Sequence, residues 1–337
     1  MTEQHEQYSA ANKLIAASKR ILISGHLSPD GDSLGSMIAL AKLLKAAGFD
    51  AVATADLNAL GKPGFLSGVE DIIPLRKLKA AARKRRGSNT FDLFIAVDCG
   101  AYERMPNEVR PIAEKLPKIC FDHHVTNTQF GDVSIVDSSA SSTGEIIWRF
   151  AKWNEWKLDN AIAEALWVAM ITDSGRFAYD STTPSTLRAA GDLLKYKVRT
   201  ALINDIIYGN FSKKAIELKR IAWRSLHIWK NSKVAEVTLT RDDFRSVRGT
   251  KADAEDIIEI PRSVAKNEIA LFFYQIPDRT KETRCSIRTR GDWDATVLAG
   301  KFGGGGHVKA AGCTIKSNMS VAKRQMRAAV RDMLKKA

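Results

Sequence analysis

The strongest constraint on this chain is a set of short apolar runs that each break off at residues able to hold metal ions. ILISG (21–25) runs into His26, with Asp30 and Asp32 just beyond; FIAV (94–97) runs into Asp98; KICF (118–121) runs into Asp122, His123 and His124. Helical patterns separate the runs. Leu34, Ile38, Leu40, Ala41, Leu44 and Ala47 recur at helical spacing and stop at Gly48, and a second strand is predicted over residues 49–54. Strands that alternate with helices in this way build a parallel α/β sheet. Such sheets bind ligands at the carboxyl ends of their strands, so the separate runs are expected to converge on one crevice. Leu158, Ile162, Leu166, Ala169 and Met170 predict a further helix, which delivers TDSG (172–175), and with it Asp173, to the same place.

His26, Asp30, Asp32, Asp98, His123 and Asp173 together make four carboxylates and two imidazoles. Taken singly, each has a plain structural reading: Asp30-Gly31-Asp32 as a turn, Asp98 as a strand-end residue, an isolated histidine as a core or surface residue. Gathered, the carboxylates carry too much negative charge to sit together without cations. Two divalent ions sharing one carboxylate satisfy the set. Mostly oxygen donors, some imidazole and no thiolate favour manganese(II) over magnesium or zinc.

The rest of the chain bounds the class. At 337 residues it has room for about two domains, and 45% hydrophobic with 27% charged residues excludes general disorder. No run of about 18 apolar residues occurs and the first twenty are polar, which excludes a spanning helix and a signal peptide; the expectation is a cytoplasmic protein with no membrane partner. The formal charge of +14 favours anionic partners. Cys99, Cys120, Cys285 and Cys313 form no C-x-x-C pair and read as reduced, mostly buried thiols. Seven basic residues crowd residues 76–87, read first as a solvated helix face or insertion and second as a surface that steers an anionic chain. Residues 205–229 are helical in pattern. Strands are predicted in KVAEVTLT, EIALFFYQI, TRCSIRTR and GCTIK, closed by an amphipathic helix over residues 320–336. The expected organisation is a parallel-sheet domain over 1–195, a helical linker over 196–220 and a smaller mixed α/β domain over 221–337. In that second domain, four consecutive glycines from Gly303 to Gly306 read as a flexible loop, or as backbone free to approach an anion closely.

HLSPDGDSLGS (26–36), VDCG (97–100), DHH (122–124) and TDSGRF (172–177) resemble, in order, the four motifs of the DHH phosphoesterases. CSIRTR (285–290) followed by FGGGGHVKAAG (302–312) is similar to the DHH-associated domain of the branch that degrades very short RNA and dephosphorylates 3′-phosphoadenosine 5′-phosphate (pAp). The resemblance covers nearly the whole chain. It implies an active site in the cleft between the two domains. One ion would lie on His26, Asp30 and Asp98, the other on Asp32, Asp98, His123 and Asp173, with Asp98 as the bridge. Asp122 would orient a neighbouring imidazole, and His124 would reach the scissile phosphate. Arg288, Gly304, Gly305, Gly306 and His307 would hold the far end of the substrate. Position 174 is Ser where the family often has Thr, and residues 76–87 align with no motif. SSASSTGE (138–145) matches a segment before a long helix; it reads equally as an N-cap with a capping Glu145.

The implied activity is manganese-dependent hydrolysis of short oligoribonucleotides to mononucleotides, and of pAp to AMP, by water activated between two ions. Its competitor is a phosphodiesterase of cyclic dinucleotides or their linear products. From another class comes a non-catalytic nucleotide or nucleic-acid binder, which the full set of candidate ligands argues against. A homodimer is compatible with the sequence.

Overall fold

The computed structural model describes residues 3–59, 62–82, 91–275 and 282–335. It falls into two compact units, Met1–Gly209 and Asn210–Ala337.

The first unit holds a sheet of six parallel strands: β1 (Arg20–Ser24), β2 (Asp50–Ala55), β3 (Ile73–Pro74), β4 (Leu93–Val97), β5 (Lys118–Asp122) and β6 (Val133–Val136). They are ordered β3-β2-β1-β4-β5-β6. The helices are α1 (Glu3–Ala16), α2 (Gly31–Ala46), α3 (Leu75–Ala81), α4 (Arg110–Ala113), α5 (Thr143–Trp153), α6 (Asn160–Asp173), α7 (Pro184–Leu194) and α8 (Thr200–Asn204). β4 is buried along its whole length, as expected of a central parallel strand covered on both faces. Ile21, Ile23, Ile95, Val97 and Phe121 face a thick core shared with α2, α5 and α6. Leu22, Phe94, Ala96 and Cys120 face a thinner one with Leu75, Leu78, Val109 and Leu116. α2 is buried through most of its length because it lies directly on α6. Gly35 allows this, since a Cβ there would stand 2.3 Å from the Ala165 carbonyl oxygen. The strand order reverses between β1 and β4, the place where open α/β sheets bind ligands beyond the strand ends.

The second unit is a mixed six-stranded sheet: β7 (His227–Trp229), β8 (Val234–Leu239), β9 (Ile269–Tyr274), β10 (Thr283–Thr289), β11 (Gly305–His307) and β12 (Ala310–Ile315), ordered β11-β12-β10-β9-β8-β7. Among the described residues, only the β8–β9 pair of this sheet is parallel. Its helices are α9 (Lys213–Arg224), α10 (Arg241–Val247), α11 (Glu259–Arg262), α12 (Ala295–Gly300) and α13 (Met319–Leu334). α12 and α13 cover one face over Leu271, Phe273, Ile287 and Ile315. α9 packs on the other over Val237, Leu239 and Phe272.

Two expectations are corrected. The helical pattern over 205–229 ends at Arg224, and His227–Trp229 turns back as an edge strand on β8. The loop reading of the glycine run is replaced for its second half, because Gly305 and Gly306 pair with β12 while Gly303 and Gly304 lie outside the strand. The stretch 196–220 is divided, α8 and a π-helical turn at Asp205–Gly209 lying in the first unit and the start of α9 in the second. Of the basic segment, α3 covers the first part and residues 83–87 lie outside the described residues. All four cysteines are free and buried. No helix among the described residues is long and apolar enough to cross a membrane.

Candidate metal centre

β1, β4 and β5 are neighbours in the sheet, so His26, Asp98 and the Asp122-His123-His124 run emerge side by side at its carboxyl edge. α2 begins a short loop after His26, with Asp30 as its N-cap accepting from the Ser33 N–H at 3.1 Å. Asp32, in the first turn of α2, points back under the strand ends and is buried. Asp173 is the last residue of α6. All six candidate ligands therefore come from one edge of the first unit.

Their distances fall into linked groups. His26 Nε2 lies 3.4 Å from Asp98 Oδ2 and 4.0 Å from Asp30 Oδ2. His123 Nε2 lies 3.1 Å from Asp173 Oδ2, 3.6 Å from Asp32 Oδ2 and 3.8 Å from Asp98 Oδ1. Candidate donor atoms of His26, Asp30 and Asp98 lie within 4.8 Å of one another; so do those of Asp32, His123 and Asp173, and those of Asp98, His123 and His124. Asp98 thus turns one oxygen to His26 and the other to the two histidines at the end of β5. His123 Nδ1 is 3.3 Å from the Ala140 carbonyl oxygen, which can only accept, so Nδ1 carries a proton and Nε2 is the ring atom turned to the carboxylates, where it could ligate a cation held among them. His124 Nδ1 lies 2.7 Å from Asp122 Oδ1, and Asn127 donates to the other Asp122 oxygen.

The electrostatics fit a cation site. Burial pushes the Asp32 carboxyl up to about 7, with Asp173 and Asp30 adding to it against His123. Burial, then the charges of Asp32, Asp30, Asp122 and Asp173, hold Asp98 well above the usual carboxylate range. Burial alone would lower the His123 imidazole, but Asp173, Asp32 and Asp122 outweigh it and raise it. His26, lowered by burial, stays neutral and ready to ligate. At Asp122 the opposing burial is overcome by the His124 and Asn127 hydrogen bonds, so its carboxyl lies low and it acts as a fixed acceptor. Crowded oxygen donors that resist ionisation, beside imidazole nitrogens turned toward them, are what divalent cations relieve.

Sequence reasoning missed the groups that hold Asp32. The N–H groups of Thr143 and Gly144 donate to its two oxygens at 2.7 and 3.0 Å, and the Ser36 hydroxyl at 3.0 Å. Thr143 Oγ1 also reaches Asp98 Oδ1 at 3.4 Å. Backbone donors carry no residue signature; the only available signal was that SSASSTGE starts a helix, and a helix N-terminus favours carboxylates.

In the second unit, the register sets Arg288, Ala310 and His307 on one rung across β10, β12 and β11, with Ser286, Gly312 and Gly305 on a second. Gly304 immediately precedes this strand, and Gly306 lies within it at φ +145°.

The sequence matches the DHH family, N-terminal domain, over residues 20–170 and the DHHA1 domain over residues 244–336. A bifunctional oligoribonuclease and PAP phosphatase NrnA of Thermus thermophilus is 30% identical over 335 residues, 97% of this chain and 94% of that protein. The protein of the same description from Bacillus subtilis is 26% identical, covering 90% and 92%. The fold is similar to that of an exopolyphosphatase-related protein from Bacteroides fragilis, with a TM-score of 0.89, 23% identity and coverage of 99% of this chain and 100% of that one.

Proposed function

Because the chain belongs to the DHH family of phosphoesterases and carries a DHHA1 domain behind its DHH domain, we propose that this hydrolase of phosphoester bonds acts on oligoribonucleotides of a few residues, releasing mononucleotides, and on pAp, releasing AMP. The observation that carries the reading is Asp98, buried, with its two oxygens turned to different imidazoles between two groups of donors. The relatives named as oligoribonuclease and PAP phosphatase support the substrate class.

His26, Asp30 and Asp98 would hold one divalent cation, and Asp32, Asp98, His123 and Asp173 the second, with manganese(II) favoured by the donor chemistry. Bound there, the pair would supply Lewis acidity for the phosphoryl oxygens and a nucleophilic water near neutral pH. The protein's own groups do the rest. Asp122 keeps the His124 proton on Nδ1 when the ring is neutral and steadies the imidazolium when it is not, so Nε2 can give a proton to the leaving sugar oxygen. Thr143 and Gly144 fix Asp32 by its two oxygens. Arg288 and the backbone of Gly304, Gly305 and Gly306, with His307 on the Arg288 rung, would bind the end of the substrate away from the reacting phosphate.

The test is chromatographic analysis of products from pAp, two- to five-residue RNAs and cyclic di-AMP, with manganese, for the wild type and Asp98→Ala. AMP from pAp and mononucleotides from the RNAs are expected, with every activity lost in the variant because the shared ligand serves both cations. Cleavage of cyclic di-AMP alone would replace the proposed substrates, and an active Asp98→Ala would overturn the ligand assignment.

A further inference from the structure

Glu145 is fully buried at the start of α5, yet it does not do what a capping glutamate does. In a capping box the third helical residue reaches back to the N–H of the N-cap itself. Here the N-cap, Ser142, accepts from the Glu145 N–H, while the Glu145 side chain passes it by. One oxygen, Oε2, accepts from the Ser141 N–H at 3.0 Å, the Ser141 hydroxyl at 2.9 Å and the Thr186 hydroxyl at 2.8 Å. The other, Oε1, faces the Arg149 guanidinium at 3.4 Å, and Arg149 in turn holds Asp137 at 2.7 Å. Thr186 belongs to the capping box of α7, so the carboxylate ties the chain before α5 to the first turn of another helix.

That tie matters because of its neighbours. Just past Ser141, the Thr143 and Gly144 N–H groups grip both oxygens of Asp32, and the Thr143 hydroxyl reaches Asp98. The turn over residues 141–144 is thus held on one side by Glu145 and on the other holds two candidate ligands. A buried carboxylate is costly to keep unless its contacts are needed. A surface cap would supply the same helix start without that cost.

We propose that Glu145 is a positioning residue for the cation pair: through Ser141 and the Thr143–Gly144 N–H groups it sets the orientation in which Asp32 and Asp98 meet the ions. The inference rests on the reading of this centre as a metal site. Groups that orient ligands from behind typically change metal affinity 10- to 100-fold when replaced.

The experiment is calorimetric titration of the full-length, metal-free protein with manganese chloride, alongside its thermal melting, for the wild type, Glu145→Gln and Thr186→Val. Glu145→Gln keeps the shape but turns an amide toward Arg149 or toward Ser141, where only acceptors suit. Thr186→Val removes one donor to the carboxylate and touches no candidate ligand. Roughly 10- to 100-fold weaker manganese binding is expected for Glu145→Gln, with a smaller loss in the same direction for Thr186→Val. Turnover at saturating manganese should stay within a few-fold of wild type. Lowered melting temperatures with wild-type manganese affinity in both variants would reduce Glu145 to a helix-start residue and overturn the proposal. If Glu145→Gln does not fold, Thr186→Val alone decides, by the same two outcomes. A wild-type protein that takes up no manganese removes the metal-site reading and this inference together, whereas wild-type uptake with unchanged variants removes this inference only.

Discussion

Asp98 sits at φ +52°, a left-handed conformation that costs an ordinary L-residue on the order of 1 kcal/mol and that aspartate tolerates better than most. The turn is set by the Asp98 N–H donating to the Phe121 carbonyl at 2.9 Å, and it lifts the carboxylate off the end of β4 into the cluster. The sequence reveals that an aspartate ends this strand; it does not reveal the backbone twist that aims it, because that twist belongs to the pairing with β5. The same limit hid Thr143 and Gly144, which act through N–H groups every residue has. The proximity of the carboxylates has a pH consequence. With the folded, metal-free Asp32 raised to about 7 and Asp98 raised well above the usual carboxylate range, these two groups hold protons in the folded state that they lose in the unfolded chain. Their contribution to stability is therefore fullest below the ordinary carboxylate range and falls as pH rises through the raised values. Cations bind the ionised carboxylates, so manganese uptake should release protons at about pH 6, release fewer at about pH 8, and be tighter at the higher pH. Calorimetry in two buffers of different ionisation enthalpy measures the proton count, and zero release at the lower pH would show that these carboxylates are already ionised without metal.

At the scale of elements, the long, strongly patterned pieces were legible and the short edges were not. β1, β4, β5, β9 and β10 are continuous or alternating apolar runs whose burial follows the sequence directly. β7 has three residues and continues a helical pattern; β11 is mostly glycine, which has little strand preference of its own. Both exist because a partner strand offers its free edge. β11 also separates two reasons for a glycine. A Cβ on Gly304 would stand 2.2 Å from the Gly312 carbonyl oxygen and 2.6 Å from Cys313 Cβ, so packing demands glycine there. Gly305 meets nothing within 4 Å. Gly304→Ala should therefore destabilise the protein by about 1–3 kcal/mol through overpacking, seen as a lower melting temperature. Gly305→Ala should leave melting unchanged and raise KM several-fold for pAp and short RNA, if that backbone approaches the substrate. An unchanged KM would assign the glycine run to packing alone.

Across the whole molecule, the positive charge is not shared evenly. The Asn210–Ala337 unit has 27 lysines and arginines against 14 aspartates and glutamates, a formal +13, while Met1–Gly209 has 25 against 24, a formal +1. Residues 76–87 are the one conspicuous basic run in the sequence, read first as a solvated helix face or insertion and second as a surface that steers an anionic chain. The larger excess forms no run because it is dispersed along the unit, with Arg284 and Arg288 on β10, Lys309 between β11 and β12, and Arg324 and Arg331 on α13 among its members. The unit with the candidate metal centre is nearly neutral, and the unit matching the DHHA1 domain carries nearly all of the positive excess. If the proposed substrates bind through that unit, charge should govern encounter more than chemistry, since exposed charges are screened within about 8 Å at physiological ionic strength. Raising potassium chloride from about 50 to 200 mM should thus raise KM several-fold and leave kcat nearly unchanged. The effect should be steeper for a pentanucleotide than for pAp, because the longer substrate presents more phosphates to the same field. Steady-state kinetics at fixed manganese, comparing both substrates across that series, separates the cases. A KM indifferent to salt would mean that the positive charge of the second unit serves something other than substrate capture, and a fall in kcat alone would place the salt-sensitive step at the metal centre instead.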